Sequence, residues 1–325
     1  YIWFLITAIT AYNVEVAFIS VKRTVAVFLF CYVLSYLSKK YHTSWWVAIT
    51  YLIFFINCVY YAQTHILEVA DINDSFRMTD EKLNANLFGY FLFFVTFFVY
   101  HLGIISNSQR AKTIFRLLFF CLIPLSFFIA LLTASRQILL LQVPYFAILI
   151  YYRYWKTANF LVKFILIAIT FIACAFLADH IIESYNTSNL ATRSKVQVTD
   201  DPRADLAKEA FNIGLKNPIF GVGPDNFKLI SRHHNFSHNS YVELFANSGL
   251  PAVIIYCLML ARFIKVQYRS WHHKHDAISF SFLIFGIFYA FDNIFYVFYL
   301  NPWLMGILVF VGDLSSNKHN KFSNI

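Results

Sequence analysis

Charge is scarce in this sequence. Only 13% of its 325 residues are Asp, Glu, Lys or Arg, against about 25% in an ordinary soluble domain. A water-soluble fold of this size would have almost no polar surface to present, so that class is excluded. Cysteine is sparse as well. Cys31, Cys58, Cys121, Cys174 and Cys257 all sit inside apolar runs, and no two are spaced Cys-x-x-Cys. They read as inert packing groups rather than disulfides or metal ligands. No small-residue cleavage site follows the first apolar run, so it reads as a permanent span and not as a secretory signal. The chain opens on Tyr1, already within apolar sequence, and its natural N-terminus is expected further upstream.

Hydrophobic residues make up 59% of the chain and aromatics 20%. About twenty apolar residues cross a bilayer. Spans are predicted near 2–20, 24–38, 45–62, 86–105, 114–133, 137–152, 160–179, 250–268, 278–299 and 302–314. The fold class that follows is an all-α polytopic membrane protein. It has about ten transmembrane helices and one large outward loop containing short helices. Residues 1–179 carry the first seven helices, 180–249 form the extracytoplasmic loop, and 250–325 hold the last helices and a cytoplasmic tail.

The formal net charge of +9 is explained by basic residues at span ends, not by nucleic acid. One set of connections holds fourteen Lys and Arg, Lys39, Lys40, Arg110 and Lys112 among them, and the opposite set of short connections holds five: Lys22, Arg23, Arg77, Lys82 and Arg136. The richer set should face the cytoplasm, which turns the 180–249 loop outward. Lys22 and Arg23 argue mildly against that orientation. Arg77, Arg136 and Arg203 then share the outward side. Two readings stay open for them: a cluster for an anionic group such as a lipid-linked phosphate, or side chains that snorkel to headgroups.

Within the loop, Asp200-Asp201-Pro202 is a helix-start signal, and Asn217-Pro218 is a stop. Leu206, Ala207, Ala210, Phe211 and Ile213 offer an apolar face, and Arg203 lines up with Ala207 and Phe211. Gly221-Val-Gly223-Pro224 is a turn that lets backbone pass close to something. It lacks the third glycine and the strand–helix setting of a dinucleotide fingerprint. Ser240-Tyr-Val-Glu243 fits a capping box, which predicts a short helix from Tyr241 to about Asn247. Gly249 stops it and Pro251 opens the next span. His238 then sits just before a helix N-terminus, where free N–H groups favour an anion and the dipole favours a neutral imidazole. His238 reads either as an interfacial histidine or as a general base. A zinc site using His233, His234 and His238 lacks a completing ligand, and no nucleophile elbow supports a hydrolase.

The pattern Asn217-Pro-Ile-Phe-Gly-Val-Gly-Pro-Asp-Asn-Phe227, then Ser237-His-Asn-Ser-Tyr-Val-Glu-Leu-Phe-Ala-Asn-Ser-Gly249 and a span, resembles the O-antigen ligase and polymerase family. Gly221, Gly223, His238, Asn239, Tyr241, Glu243 and Gly249 match its loop hallmark. Ala134-Ser135-Arg136 resembles a second motif. Asn84-Ala-Asn86-Leu resembles a third, with Ala85 in place of the usual proline. Arg77 stands where the family often has an upstream arginine, and Arg203 fits the arginine before the glycine turn. The resemblance spans roughly residues 70 to 265.

It implies a GT-C-type architecture and a metal-independent glycosyltransferase with no cofactor. His238 would be the base, with Arg136, Arg203 and Arg77 as the diphosphate clamp. Asn239, Tyr241, Glu243, Gly221 and Gly223 would support them. The implied partners are an undecaprenyl-diphosphate-linked glycan, membrane lipids, a chain-length regulator and a flippase. The expected location is the outer face of a bacterial cytoplasmic membrane. The residues themselves agree, because a departing diphosphate needs positive charge and an attacking hydroxyl needs a base. Polymerisation of lipid-linked repeat units is the expected reaction, with a ligase for lipid A core as the alternative. A transporter for lipid-linked sugar would need inverted repeats and broken helices near mid-membrane, and neither stands out.

Overall fold

A computed structural model describes residues 2–40, 52–53, 56, 85–106, 108–132, 142–155, 159–161, 163, 202–232, 234–295, 297 and 299. Among the described residues every regular element is helical. In chain order they are α1 (Ile2–Ile9), α2 (Val14–Lys40), α3 (Ala85–Ile105), α4 (Gln109–Leu132) and α5 (Val143–Ile150) with a π-helical turn at Tyr151–Trp155. Then come α6 (Pro202–Lys216), α7 (Phe227–Ile230), α8 (Ser240–Lys274) and α9 (Ala277–Asp292). They fall into two compact units, one made of Tyr1–His42 with Gln197–Ile325, the other of Thr43–Val196.

In the second unit, α3 and α4 follow the spans expected at 86–105 and 114–133 closely. The core is aromatic. Phe93 meets Tyr145 edge-on with ring centres 5.0 Å apart, and Phe119 meets Phe146 at 5.8 Å. Lipid is as apolar as these rings, so their gain is close packing rather than escape from water. The spans expected at 302–314, most of 45–62 and 160–179, and the start of 137–152 lie outside the described residues.

The first unit departs from the expected spans at its start. The break falls at Thr10–Asn13, not at Lys22 and Arg23, which lie exposed inside α2. Lys and Arg are good helix formers, so two of them do not end a helix. Asn13 does, because its Oδ1 accepts the Val16 N–H at 3.1 Å, the habit of an N-cap residue. Lys22 and Arg23 therefore belong to no connection. The eight residues of α1 are too few to cross a bilayer.

Two described helices are long and apolar enough to cross a membrane, Val14–Val33 within α2 and α8 itself. α8 has 35 residues, about 52 Å of helix, where a hydrocarbon core needs about 30 Å. It is not straight. Gly249 has φ 77 and ψ 178 and divides it into a polar arm, 240–248, and an apolar shaft, 250–274. The predicted short helix, glycine stop and proline restart are all found. The shaft runs past its expected end at 268 to Lys274, and His275 closes it in a left-handed conformation (φ 49). Ile254, Ile255 and Leu258 point outward from the shaft, an exposure that suits lipid. α9 stops at Asp292, short of the expected 299.

α6 starts at Pro202 and ends at Lys216, as its flanking signals predict. Leu206 and Ala210 pack with Phe227 of α7 and Ala246 of the arm, with Ile213 and Val242 at the margin. Phe211 instead stays 48% exposed, so the buried stripe is rotated from the one expected. Gly214 makes room for Phe245, whose ring a Cβ there would meet at 2.6 Å.

Candidate active site

The arm 240–248 is the scaffold, and the segment before it is tied down residue by residue. Asn239 is the N-cap, extended at φ −142, and its Oδ1 accepts the N–H groups of Tyr241 (3.0 Å) and Val242 (3.2 Å). Asn239 O accepts Glu243 N at 3.0 Å, and Asn293 O accepts Ser240 N at 2.8 Å. Asn239 thus does the capping expected of Ser240, because residue 239 keeps the extended backbone of a cap while Ser240 already lies inside the helix. A second expectation also changes. All four N–H groups of the arm's first turn are already bonded, so this helix end has no free donor for an anion.

Glu243 does reach back, but to Ser237. Its Oε2 accepts Ser237 N at 2.6 Å and Ser237 Oγ at 2.9 Å. Both residues are buried, Glu243 at 2% exposure. Burial pushes the Glu243 carboxyl up to about 7, against the Ser237 bonds, which lower it; nearby Asp225 adds to the rise and Lys228 opposes it. Glu243 lies on the arm, outside the apolar shaft.

His238 stands between these two fixed neighbours. It is half-buried, its backbone is left-handed at φ 55, and its ring meets Phe236 edge-on at 6.1 Å. Such a φ is uncommon for a residue with a side chain. Tyr241 anchors the arm to α9 by donating its hydroxyl to Ala290 O at 2.7 Å.

The glycine turn explains itself at the other end of the arm. Val222 N donates to Ala246 O at 2.8 Å and Gly223 N to Asn247 O at 2.9 Å. Trp3 Nε1 donates to Ser248 O at 2.7 Å. The turn is therefore the C-cap of the arm, and the close approach expected of its glycines is to the arm's own carbonyls. Gly221 has φ 67, and a Cβ on it would lie 2.6 Å from Ala246 O. A Cβ on Gly223 would strike Ala11.

The α1–α2 break docks on the same turn. Tyr12 N donates to Val222 O at 2.8 Å. Asn226 accepts Asn13 N at 2.7 Å and donates to Asn13 O at 3.2 Å. Asp225, also left-handed at φ 61, holds Lys228 at 2.8 Å and Arg23 at 3.6 Å.

Asn226 and Asn247 are fully buried, and neither stood out as a site residue. Asn247 accepts Phe227 N at 2.8 Å and donates to the Tyr299 hydroxyl at 3.1 Å. The available signal was position alone: one asparagine follows a glycine turn and the other precedes a glycine stop. Ser237 was missed for a similar reason, since its partner is a helix turn away.

His238, Asn239, Tyr241, Glu243, Gly221 and Gly223 are thus gathered around one arm. Arg203 is half-buried near the start of α6, on the helix face that further along carries Leu206 and Ala210. Arg77, Arg136 and His233 lie outside the described residues. His234 is exposed with φ 47. Among the described residues no three His, Cys, Asp or Glu side chains come together as metal ligands would.

Residues 119–257 match the profile of the O-antigen ligase family. Over this stretch the chain is similar to the O-antigen ligase family. That family acts on lipid-linked glycans, and the long apolar helices of this chain support a membrane location. The match is narrower than the 70–265 expected from motifs. It contains Arg136, Arg203, the glycine turn and the whole arm, and leaves Arg77 outside. No curated protein matches the chain.

Proposed function

We propose that the protein is a polysaccharide polymerase. It transfers a growing glycan from undecaprenyl diphosphate to a hydroxyl at the non-reducing end of another lipid-linked repeat unit. The reaction takes place on the outer face of the cytoplasmic membrane. One observation carries the reading: inside the matched stretch, His238 is half-exposed on a left-handed backbone between two anchored residues.

In this reading the His238 imidazole takes the acceptor hydroxyl proton. The oxygen attacks the anomeric carbon, and the bond to the diphosphate oxygen breaks with its electron pair. Undecaprenyl diphosphate departs, and the configuration inverts. Arg136 and Arg203, with Arg77, hold the departing diphosphate, where positive charge gains most as the bond breaks. No metal takes part.

The matched family's own description favours a second reading, a ligase that delivers finished glycan to lipid A core. Both use the same groups. A strain lacking the gene, complemented with wild type, His238→Ala or Arg136→Ala, separates them. Glycans of a single repeat in the variants support the polymerase. Long free polymer that never reaches lipid A supports the ligase. Normal chains from both variants would overturn the site.

A further inference from the structure

We propose that Ser237 and Glu243 form a buried clamp that positions His238 for its work as a base. This rests on the assignment of His238 made above. The two residues flanking His238 are both immobilised. Ser237 is held by Glu243 through its amide at 2.6 Å and its hydroxyl at 2.9 Å. Asn239 is held by the arm amides of Tyr241 and Val242, and its own N–H donates back to Ser237 Oγ at 3.2 Å. Ser237 Oγ also lies 3.0 Å from Asn239 O, and its single proton serves either that carbonyl or Glu243. Ser237 is 1% exposed and Glu243 2%, so water does not compete for these bonds.

With both neighbours fixed, the left-handed φ of 55 at His238 fixes the direction of its Cα–Cβ bond. A strained conformation persists only where the surroundings over-determine it. A base must lie within hydrogen-bond reach of the proton it takes, and a misplacement of about 1 Å can cost roughly 100-fold in rate. Glu243 touches neither ring nitrogen in this scheme. It acts through Ser237 and is a positioning residue. Its one oxygen accepts both Ser237 donors, and a glutamine oxygen could do the same. Leucine cannot.

The test uses the full chain purified into liposomes, with lipid-linked repeat units extracted from a strain lacking the gene. Ser237→Ala removes one oxygen atom and leaves the amide bond to Glu243. Its kcat should fall roughly 10-fold with KM for the donor unchanged within about twofold. Glu243→Leu should lose roughly 100-fold in kcat, and Glu243→Gln should keep kcat within about threefold. His238→Ala is the control.

If His238→Ala is inactive while Ser237→Ala and Glu243→Leu turn over at the wild-type rate, the clamp is overturned and the base stands. If His238→Ala is as active as wild type, the base assignment fails and takes the clamp with it. If kcat and KM change together in Ser237→Ala, or Glu243→Gln fails as badly as Glu243→Leu, the pair serves only the fold and the proposal is wrong. Should Glu243→Leu not fold, Ser237→Ala decides alone.

Discussion

Replacing Gly221 with alanine tests the arrangement around the arm most directly. The new Cβ would lie 2.5 Å from Ser248 N and 2.6 Å from Ala246 O, and against the carbonyl carbon of Asn247. All three are backbone atoms, so no side chain can swing aside. The backbone is at φ 67, where an alanine is disfavoured by about 1–2 kcal/mol. Relief of the clash moves the turn away from the arm and breaks Val222 N to Ala246 O and Gly223 N to Asn247 O. Each buried bond lost costs about 1 kcal/mol or more. The total is about 3–5 kcal/mol.

Thermal unfolding in detergent measures it. Gly103→Ala in α3 is the matched control, since its Cβ would meet Phe115 Cβ at 3.4 Å, an ordinary contact. Alanine also gains up to about 1 kcal/mol over glycine inside a helix. Gly221→Ala should melt well below wild type, and Gly103→Ala should stay near it. Equal melting of the two variants would refute the idea that the turn caps the arm.

Three further outcomes follow from the same contacts. The Glu243 carboxyl is raised from 4.5 to about 7, so the folded state holds its proton more tightly than the unfolded chain does. The associated stability is full below pH 4.5 and is lost as pH rises through about 7, roughly 3 kcal/mol in all. Glu243→Gln should abolish that part of the pH dependence in melting curves, and parallel curves for the two proteins would contradict it. Asn247→Ala strands the buried Phe227 N–H and should cost about 2–3 kcal/mol by the same melting assay; an unchanged melting temperature would contradict it. Arg203→Lys keeps the charge but loses the planar fork that grips a diphosphate; glycan transfer should fall about tenfold, and an unchanged rate would remove Arg203 from the clamp.

How much was legible depended on the range of each interaction. Pro202, Asn217-Pro218, Gly249 and Pro251 act on their own turn of chain, through a missing N–H, a fixed φ or a permitted positive φ. The starts and stops of α6 and of the arm were readable for that reason. Composition set the membrane class, because 13% charge cannot coat a soluble protein of this size. The loop hallmark, read in order, pointed to the family that residues 119–257 match.

The capping box was misassigned at short range. Asn239 and Ser240 are both competent caps, and choosing between them requires the backbone angle at 239. The break after α1 was missed because apolar periodicity runs through it. Asn13 marks it locally as a cap on Val16, and Asn226 holds Asn13 there across 213 residues of sequence. The same holds for Trp3 on Ser248, 245 residues away, and for Asn293 on Ser240. Such bonds leave no period in the sequence, since each joins two single residues that only folding makes neighbours.

Composition and local punctuation were thus enough to specify a helical membrane protein, a kinked helix and a histidine at its foot. Tertiary structure decided that the helix end keeps no amide free for an anion. It also decided that the glycines meet the arm's own carbonyls, and that a buried serine and glutamate hold the backbone around that histidine.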